Sequence, residues 1–359
     1  MVRTPASRKR GRVDFMRQHL NTLFVTLEGA WLSKDGQAVE VRHERKTKLR
    51  VPLHNLESIV SFGWDITASA QLMAACAEAG VTLSFCTPHG KFLASATGFA
   101  PGNVLLRREQ FRRADDLVAC AMIARNIVAA KIANSRVSLL RALRDRPDHE
   151  AASQLKTTAQ WLGRRVETAL RANSLDGLRG IEGDSAAAYF DSFPFLLTTT
   201  DQAITMNGRN RRPPTDPVNA LLSFLYALLA HDCRSALAAA GLDAAVGFFH
   251  RDRPGRPSLA LDLMEEFRPV LADRLALALF NRRQINATDF DFHENGAVSL
   301  RDSSRKKVLV AWQERKLEEL IHPFLQEKVT WGLLPHLQAR LIARHLRGDL
   351  DAYPAFIWK

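Results

Sequence analysis

The sequence predicts an α+β protein in which a small β-rich N-terminal domain, residues 1–100, precedes a larger all-α C-terminal domain, residues 101–359. Apolar and polar residues alternate in short segments of the first hundred residues, as in half-buried strands. Beyond residue 104 the apolar residues recur at steps of three and four, which is the helical period. A chain of 359 residues also exceeds the usual size of one hydrophobic core, so two domains are expected.

Strand patterns in the first domain are short and bounded by turn residues. The Asp35-Gly36 pair between two of them is typical of a hairpin. One helix is expected over residues 69–79, because small side chains have helical spacing there and Gly80 follows as a C-terminal signal. The predicted strands cover residues 22–27, 30–32, 39–43, 48–53 and 81–86.

Helical periodicity dominates the second domain. Residues 104–143 are expected to form one long helix, and a proline-containing charged segment follows it. Asn295-Gly296 lies between two short strand-like segments, 289–292 and 297–300, and so indicates a hairpin. Further helices are predicted over residues 151–173, 184–193, 216–240, 258–280, 305–327 and 333–347.

The charge of the chain favours a polyanionic partner. Lysine and arginine number 50 against 38 acidic residues, a formal net charge of +12, and nucleic acid is the commonest partner of such a surface. Five basic residues in and between the predicted third and fourth strands either face phosphate or keep an edge strand soluble. These residues are Arg42, Arg45, Lys46, Lys48 and Arg50.

Cysteine spacing and hydropathy indicate a soluble cytoplasmic protein. The four cysteines contain no Cys-x-x-Cys pair and fit neither a zinc framework nor a disulfide scaffold, so reduced thiols are expected. The basic residues 1–12 lack the apolar core of a signal peptide. Residues 220–230 are the most apolar candidate for a membrane span but are too short, because a span needs roughly twenty residues. We therefore expect no membrane association.

Two segments of the helical half contain candidate metal ligands. Glu182 stands between Gly180 and Gly183 just before a predicted helix, so we expect it on a loop that enters that helix. His250 ends the apolar run 246–249 and precedes a turn-rich segment. Each residue has a plainer interpretation: Glu182 could complement a helix dipole, and His250 could be hydrogen-bonded for structural reasons.

A third segment presents several acids on one predicted helix. Asp262 is spaced i,i+3 from Glu265 and i,i+4 from Glu266, so the three share a face. Like charges at this spacing destabilise a helix, which suggests a cation between them, although an exposed acidic face is an ordinary alternative. Carboxylates combined with one imidazole suit Mn²⁺ or Mg²⁺ better than a thiolate zinc site. In a basic protein such an ion could act on a phosphodiester.

These segments together resemble a known family, the CRISPR-associated integrases and endonucleases of spacer acquisition. The chain looks like the larger of the two universal adaptation proteins, of subtype I-C. The resemblance covers essentially the whole chain. It is carried by residues 23–27, 51–53, Gly180-Ile181-Glu182-Gly183, 216–222, His250, 256–269, Tyr353-Pro354 and Trp358-Lys359.

The resemblance implies an N-terminal β-sandwich and a helical domain whose metal site holds Mn²⁺ or Mg²⁺. Glu182 and His250 match two ligand positions directly, and the third ligand is an acid on the following helix. The family commonly has aspartate there. Spacing from the histidine favours Glu265, with Asp262 as the nearby alternative.

The resemblance also implies partners and a reaction. Such proteins form homodimers, with the N-terminal domain making dimer and partner contacts, and assemble with a small ferredoxin-like protein. The complex joins the 3′-hydroxyls of a double-stranded DNA fragment to a CRISPR repeat by two transesterifications. The alternative is a non-catalytic scaffold that binds DNA through its basic surface. Glycoside hydrolysis by paired carboxylates accounts for neither His250 nor the positive charge.

Overall fold

The computed structural model describes residues 16–19, 22–56, 58–87, 92–96, 104–199, 201–206, 208–210 and 213–358. The chain divides into two compact units, one of residues 1–88 and 93–101 and the other of residues 89–92 and 102–359. A β-sheet region is followed by a mostly helical region. The predicted α+β fold class is therefore confirmed. Residues 88–91 and 97–103 lie outside the described residues, and these include Pro88-His89-Gly90, which the sequence predicts to form a turn.

Two sheets, one α-helix and a short 3-10 helix, Leu53–Asn55, make up the described part of the N-terminal unit. The elements are β1 (Met16–His19), β2 (Thr22–Val25), β3 (Trp31–Asp35), β4 (Ala38–His43), β5 (Lys46–Pro52), β6 (Ser58–Phe62), β7 (Thr67–Ala68), α1 (Ala70–Glu78), β8 (Thr82–Cys86) and β9 (Phe92–Ala96). One sheet has the order β1-β2-β6-β8-β9 and the other β5-β4-β3-β7. Both contribute to one buried core, for example Leu23 and Ile59 from the first and Leu32 and Val41 from the second. Two sheets with a shared core form a sandwich-like arrangement.

Turn residues lie where the pattern of the first domain predicts them. β3 and β4 pair antiparallel with Asp35 opposite Ala38, and Gly36 adopts a φ of +59° between them. Gly80 has a φ of +70° two residues after α1 ends. Glycine adopts this left-handed backbone without the steric cost of a side chain. The hairpin and the helix end are therefore confirmed.

Helices dominate the C-terminal unit. They are α2 (Val104–Asp115), α3 (Leu117–Asp145), α4 (Ala152–Arg171), α5 (Leu175–Ser192), α6 (Pro217–Ala239), α7 (Ser258–Glu265), α8 (Arg274–Asn281), α9 (Asp302–Leu317) and α10 (Leu334–Arg347), with a π-helical segment Arg268–Asp273 between α7 and α8. Two small hairpins join β10 (Phe290–Phe292) to β11 (Val298–Leu300) and β12 (Glu319–Ile321) to β13 (Lys328–Thr330). The first hairpin is the one predicted around Asn295-Gly296.

Three predicted helix boundaries in this unit are wrong. The single helix over 104–143 is two helices, because the Asp116 side chain accepts hydrogen bonds from Val118 N and Ala119 N and starts a new helix. α5 begins at Leu175 rather than near 184, because Ser174 caps it. The helix predicted over 305–327 ends at Leu317, after which the chain forms a strand pair.

α3 is the central helix of the C-terminal unit. It packs against α2, α4, α5 and α7. By length and composition it could cross a membrane, but 67% of its most apolar window is buried inside the protein. Burial of this extent is the signature of a core helix.

The four cysteines, Cys76, Cys86, Cys120 and Cys233, are all buried and free.

Candidate metal centre

Three helices bring two acids to one buried lysine. Glu182 lies in the middle of α5, Glu265 ends α7, and Lys131 lies on α3 between the two. The Lys131 ammonium forms ion pairs with Glu182 Oε1 and, at 2.6 Å, with Glu265 Oε2. Their side chains are 10% exposed for Lys131, 22% for Glu182 and 2% for Glu265. Two of the predicted ligands therefore face a single cationic centre in a largely water-excluded place.

Glu265 is a buried carboxylate held in its charged form. Burial acts to raise its pKa, but the interactions with Arg268, Lys131 and His250 outweigh burial and bring the pKa to about 2. Arg268 Nη1 lies 2.8 Å from Glu265 Oε1. The other oxygen, Oε2, is buried and lies 2.6 Å from the Lys131 ammonium. Glu265 thus presents one oxygen to a cation while Arg268 occupies the other.

His250 reaches the same centre from a loop after α6. Its Nδ1 lies 2.7 Å from Asp262 Oδ1, and its Nε2 lies 3.7 Å from Glu265 Oε1. A carboxylate accepts hydrogen bonds, so Nδ1 donates to Asp262. The Nε2 lone pair is then directed towards Glu265. This pairing is the usual way in which proteins orient a metal-binding imidazole.

Both carboxylate oxygens of Asp262 accept hydrogen bonds from the loop that carries His250. Its Oδ2 accepts hydrogen bonds from Phe248 N at 2.7 Å and Phe249 N at 3.0 Å, and its Oδ1 accepts one from His250 N at 2.9 Å. The side chain is completely buried. A Cβ on Gly247 would lie 2.9 Å from Asp262 Oδ2, so the loop approaches Asp262 closely only because residue 247 is glycine. Between the two candidates for the third ligand, this geometry favours Glu265.

Two expectations about these segments are wrong. Glu182 does not lie on a loop that enters a helix, because α5 begins seven residues earlier and continues through both flanking glycines. The acids of α7 do not share a cation among themselves. Asp262 faces the His250 loop, whereas Glu266 accepts hydrogen bonds from Tyr353 Oη at 2.5 Å and Phe356 N at 2.7 Å.

Sequence reasoning missed the two basic residues of the site. Lys131 stands in an apolar run of α3 where nearly every neighbour is buried, and a lysine in such a run requires a counter-ion. Arg268 is spaced i,i+3 from Glu265, which is a pairing distance on a helix. The spacing of Arg268 identifies its partner, but the partners of Lys131 lie on other helices and cannot be read from the sequence.

The donor set fits one hard divalent cation in place of the ammonium. In the described part of the chain, no three His, Cys, Asp or Glu side chains lie close enough to hold an ion as they stand. The reason is geometric: Lys131 Nζ separates the carboxylates of Glu182 and Glu265. Two carboxylates and an imidazole are ligands that Mg²⁺ and Mn²⁺ accept, and Glu265 Oε2, which faces the Lys131 ammonium at 2.6 Å, could coordinate an ion in its place.

A cavity of about 300 Å³ adjoins this centre. The Arg268 guanidinium lies 5.0 Å from the ring centroid of Tyr226, and that of Arg209 lies 5.2 Å from the same centroid. The wall of this cavity includes Lys131, Glu182, Tyr189, Phe190, Arg209, Tyr226, Arg268 and Asp273. The cavity therefore combines aromatic faces with cations directly beside Glu182.

Comparisons with known proteins agree on one family. Residues 23–314 match the family model described as CRISPR associated protein Cas1. The chain is 50% identical over 344 residues to the CRISPR-associated endonuclease Cas1 1 of Chlorobaculum tepidum, covering 96% of this chain and 100% of that protein.

Two solved structures share the fold. One is a casposase bound to integration product, with a TM-score of 0.75 and 20% identity over 95% of this chain and 100% of that chain. The other is a partial Cas6-RT-Cas1–Cas2 complex, with a TM-score of 0.74 and 24% identity over 95% of this chain and 99% of that chain. The family model matches most of the chain, and the Chlorobaculum tepidum protein is 50% identical over nearly the whole length. This chain therefore belongs to the Cas1 family of CRISPR-associated endonucleases.

Proposed function

We propose that this protein is a metal-dependent DNA nuclease and integrase that joins the 3′-hydroxyl ends of a captured DNA fragment to a CRISPR repeat by transesterification. The observation that carries the proposal is the convergence of the Glu182 and Glu265 carboxylates on one cation, with His250 Nε2 beside them. The family relationship supplies the nuclease chemistry, and the likeness to a casposase bound to integration product favours strand joining.

Each residue of the centre has a distinct task in this proposal. Glu182, Glu265 and His250 Nε2 would hold Mg²⁺ or Mn²⁺. That ion, when bound, supplies Lewis-acid stabilisation of the charge that develops on the phosphate. Asp262 holds His250 in the tautomer that leaves Nε2 free, and Arg268 fixes Glu265 by its other oxygen. The adjoining cavity orients the DNA terminus and excludes water from the reacting atoms.

The proposal extends to partners and place of action. The surplus of 12 positive charges suits double-stranded DNA, whose binding would weaken steeply with salt. We propose a homodimer that assembles with a small ferredoxin-like adaptation protein, in keeping with the Cas1–Cas2 complex among the structural neighbours. The N-terminal domain would make the dimer and partner contacts. The proposal places the protein in the cytoplasm and in a subtype I-C system.

A strand-joining assay with Mn²⁺ or Mg²⁺ tests the proposal against the alternative of a non-catalytic DNA-binding scaffold. Glu182→Ala and His250→Ala are compared with wild type and with Glu167→Gln, which changes an exposed glutamate on α4. We expect both site variants to lose joining and to keep the DNA affinity that wild type has without metal, while the control behaves like wild type. Joining by both site variants at the wild-type rate would refute the site, and absence of joining by wild type would favour the scaffold.

A further inference from the structure

Lys131 is an unusual lysine because it is buried and serves two acids at once. Its side chain is 10% exposed, and its ammonium forms ion pairs with Glu182 and Glu265 from two other helices. A buried charge of this kind is stable only while it is paired. Lys131 is therefore the cation that holds the two carboxylates together when no metal ion is bound.

A divalent ion and the Lys131 ammonium compete for the same oxygens. Magnesium coordinates oxygen at about 2.1 Å, and the ammonium lies 2.6 Å from Glu265 Oε2. Both cations cannot occupy the space between Glu182 and Glu265, and at such short range they repel each other. Metal binding at this centre thus requires the ammonium to leave it.

The cavity beside the centre offers the displaced ammonium a place. Lys131 itself lines that cavity, together with Arg209 and Arg268. A lysine side chain has a flexible four-carbon stem, so its head group can turn without a shift of the helix. Glu182, Asp191 and Asp273 also line the cavity. Once Glu182 holds the metal, the three cationic groups outnumber the two remaining acids, so the cavity suits an anion, and the anion that the proposed function supplies is a DNA phosphate.

We propose that Lys131 couples metal binding to DNA binding by exchanging partners. Without metal it pairs with Glu182 and Glu265. With metal bound, it turns into the cavity and binds a phosphate oxygen of the DNA terminus. Metal and DNA then bind cooperatively, and the factor by which each strengthens the other is the same. This inference rests on the proposed metal site. It identifies Lys131 as the cation that the metal ion displaces from that site.

Lys131→Met and Lys131→Arg test the exchange in opposite directions. The measurements are Mn²⁺ affinity without DNA, by calorimetry or electron paramagnetic resonance, and duplex affinity with and without Mn²⁺, by fluorescence anisotropy. Methionine removes the competing cation, so Mn²⁺ should bind at least about tenfold tighter and the cooperativity with DNA should fall at least about fivefold. Arginine pairs with carboxylates through a planar two-pronged head group, so Mn²⁺ should bind at least about tenfold more weakly.

Lys156→Met is the matched control because Lys156 is exposed on α4, and it should leave both affinities unchanged. Unchanged or weaker Mn²⁺ binding in Lys131→Met would overturn the exchange, and so would unchanged cooperativity. If Lys131→Met does not fold, the Lys131→Arg result decides: wild-type or tighter Mn²⁺ binding there overturns the exchange.

Glu182→Gln and His250→Ala separate this inference from the proposed function. If they bind Mn²⁺ as wild type does, or if wild type binds none, the metal site itself fails and the exchange fails with it. If they lose Mn²⁺ while the Lys131 variants bind it like wild type, only the exchange fails.

Discussion

Glu265 and Glu266, neighbours at the end of α7, have different surroundings and different roles. Glu265 and Glu266 are both buried, yet the pKa of Glu265 is lowered to about 2 and that of Glu266 is raised to about 7. Burial acts in the same direction on both. Glu265 faces the cations of Arg268 and Lys131 and the ring of His250, whereas Glu266 faces neutral donors.

The surroundings of Glu266 belong to the C-terminal tail rather than to the metal centre. Tyr353 Oη, Phe356 N and Gln338 Nε2 donate hydrogen bonds to its carboxyl group. The tail is also tied to α3 through Asn134, which donates to Phe356 O at 2.9 Å and accepts from Trp358 N at 2.8 Å. One side of α7 is thus built for a charged ligand set, and the other anchors the end of the chain. Charged neighbours, and not burial, separate these two roles.

The largest expected effect is the loss of DNA joining when Glu265 is substituted. Glu265→Gln removes the charge that faces the shared cation, and we expect DNA joining to fall at least about 1000-fold. Asp262→Asn keeps the shape of the residue but weakens its hold on His250, which should cost about 10- to 100-fold. Joining rates with Mn²⁺ measure both. The reverse order of the two effects would move the third ligand from Glu265 to Asp262.

The next effect concerns the pH dependence of stability on the Glu266 side. The folded pKa of Glu266, about 7, lies above its ordinary value of 4.5, so the folded protein binds the extra proton between these values. Its contribution to the free energy of unfolding is fully present below pH 4.5 and is lost as pH rises through 7, by about 3 kcal/mol in all. Glu266→Gln should therefore be more stable than wild type at pH 8, with a smaller difference at pH 5.

Denaturant unfolding in EDTA at several pH values measures this difference without interference from metal ions. Glu167→Gln, on the exposed surface of α4, serves as the matched control and should follow wild type at every pH. An unfolding free energy of Glu266→Gln that stays parallel to wild type between pH 5 and pH 8 would contradict the raised pKa.

Much of the fold was predictable from the sequence because its signals are local. The hairpin at Gly36 and the helix end at Gly80 each follow from neighbouring residues. Helix starts were less certain: the glycines around Glu182 suggested a loop, whereas Ser174 had already begun the helix. Glycine inside a helix costs only about 1 kcal/mol, which the packing of α5 against α3 and α4 outweighs.

Candidate ligands could be named from the sequence, but their arrangement could not. Glu182, His250 and Glu265 were each identified from their surroundings in the chain or from the family resemblance. Nothing local distinguishes Glu265 from Glu266, because their difference arises from Lys131 and Tyr353, which are distant in sequence. The partner of a buried charge is a tertiary property, so Lys131 could be recognised only from the packed helices.

A smaller effect is expected when the tail side loses one hydrogen bond. Tyr353→Phe removes the hydroxyl that donates to Glu266 and leaves the ring in place, so the free energy of unfolding should fall by about 1 to 3 kcal/mol. The loss should be larger at pH 8 than at pH 5, because the hydroxyl stabilises the charged form of Glu266. Chemical unfolding at both pH values tests this. An equal loss at both would mean that Glu266 does not change its charge in this range.

The smallest effect sharpens the contrast between the two glutamates most directly. At pH 6, below the pKa of about 7, Glu266 is mainly neutral, so Glu266→Gln replaces one uncharged hydrogen-bonding group with another. Mn²⁺ affinity should then change by less than about threefold, whereas Glu265→Gln at the same pH should bind Mn²⁺ at least about 100-fold more weakly. Calorimetric titration measures the Mn²⁺ affinity of the two variants, which carry the same substitution at adjacent positions. A large loss of Mn²⁺ affinity in Glu266→Gln would mean that both sides of α7 serve the metal, and the tail would then be part of the active centre rather than an anchor behind it.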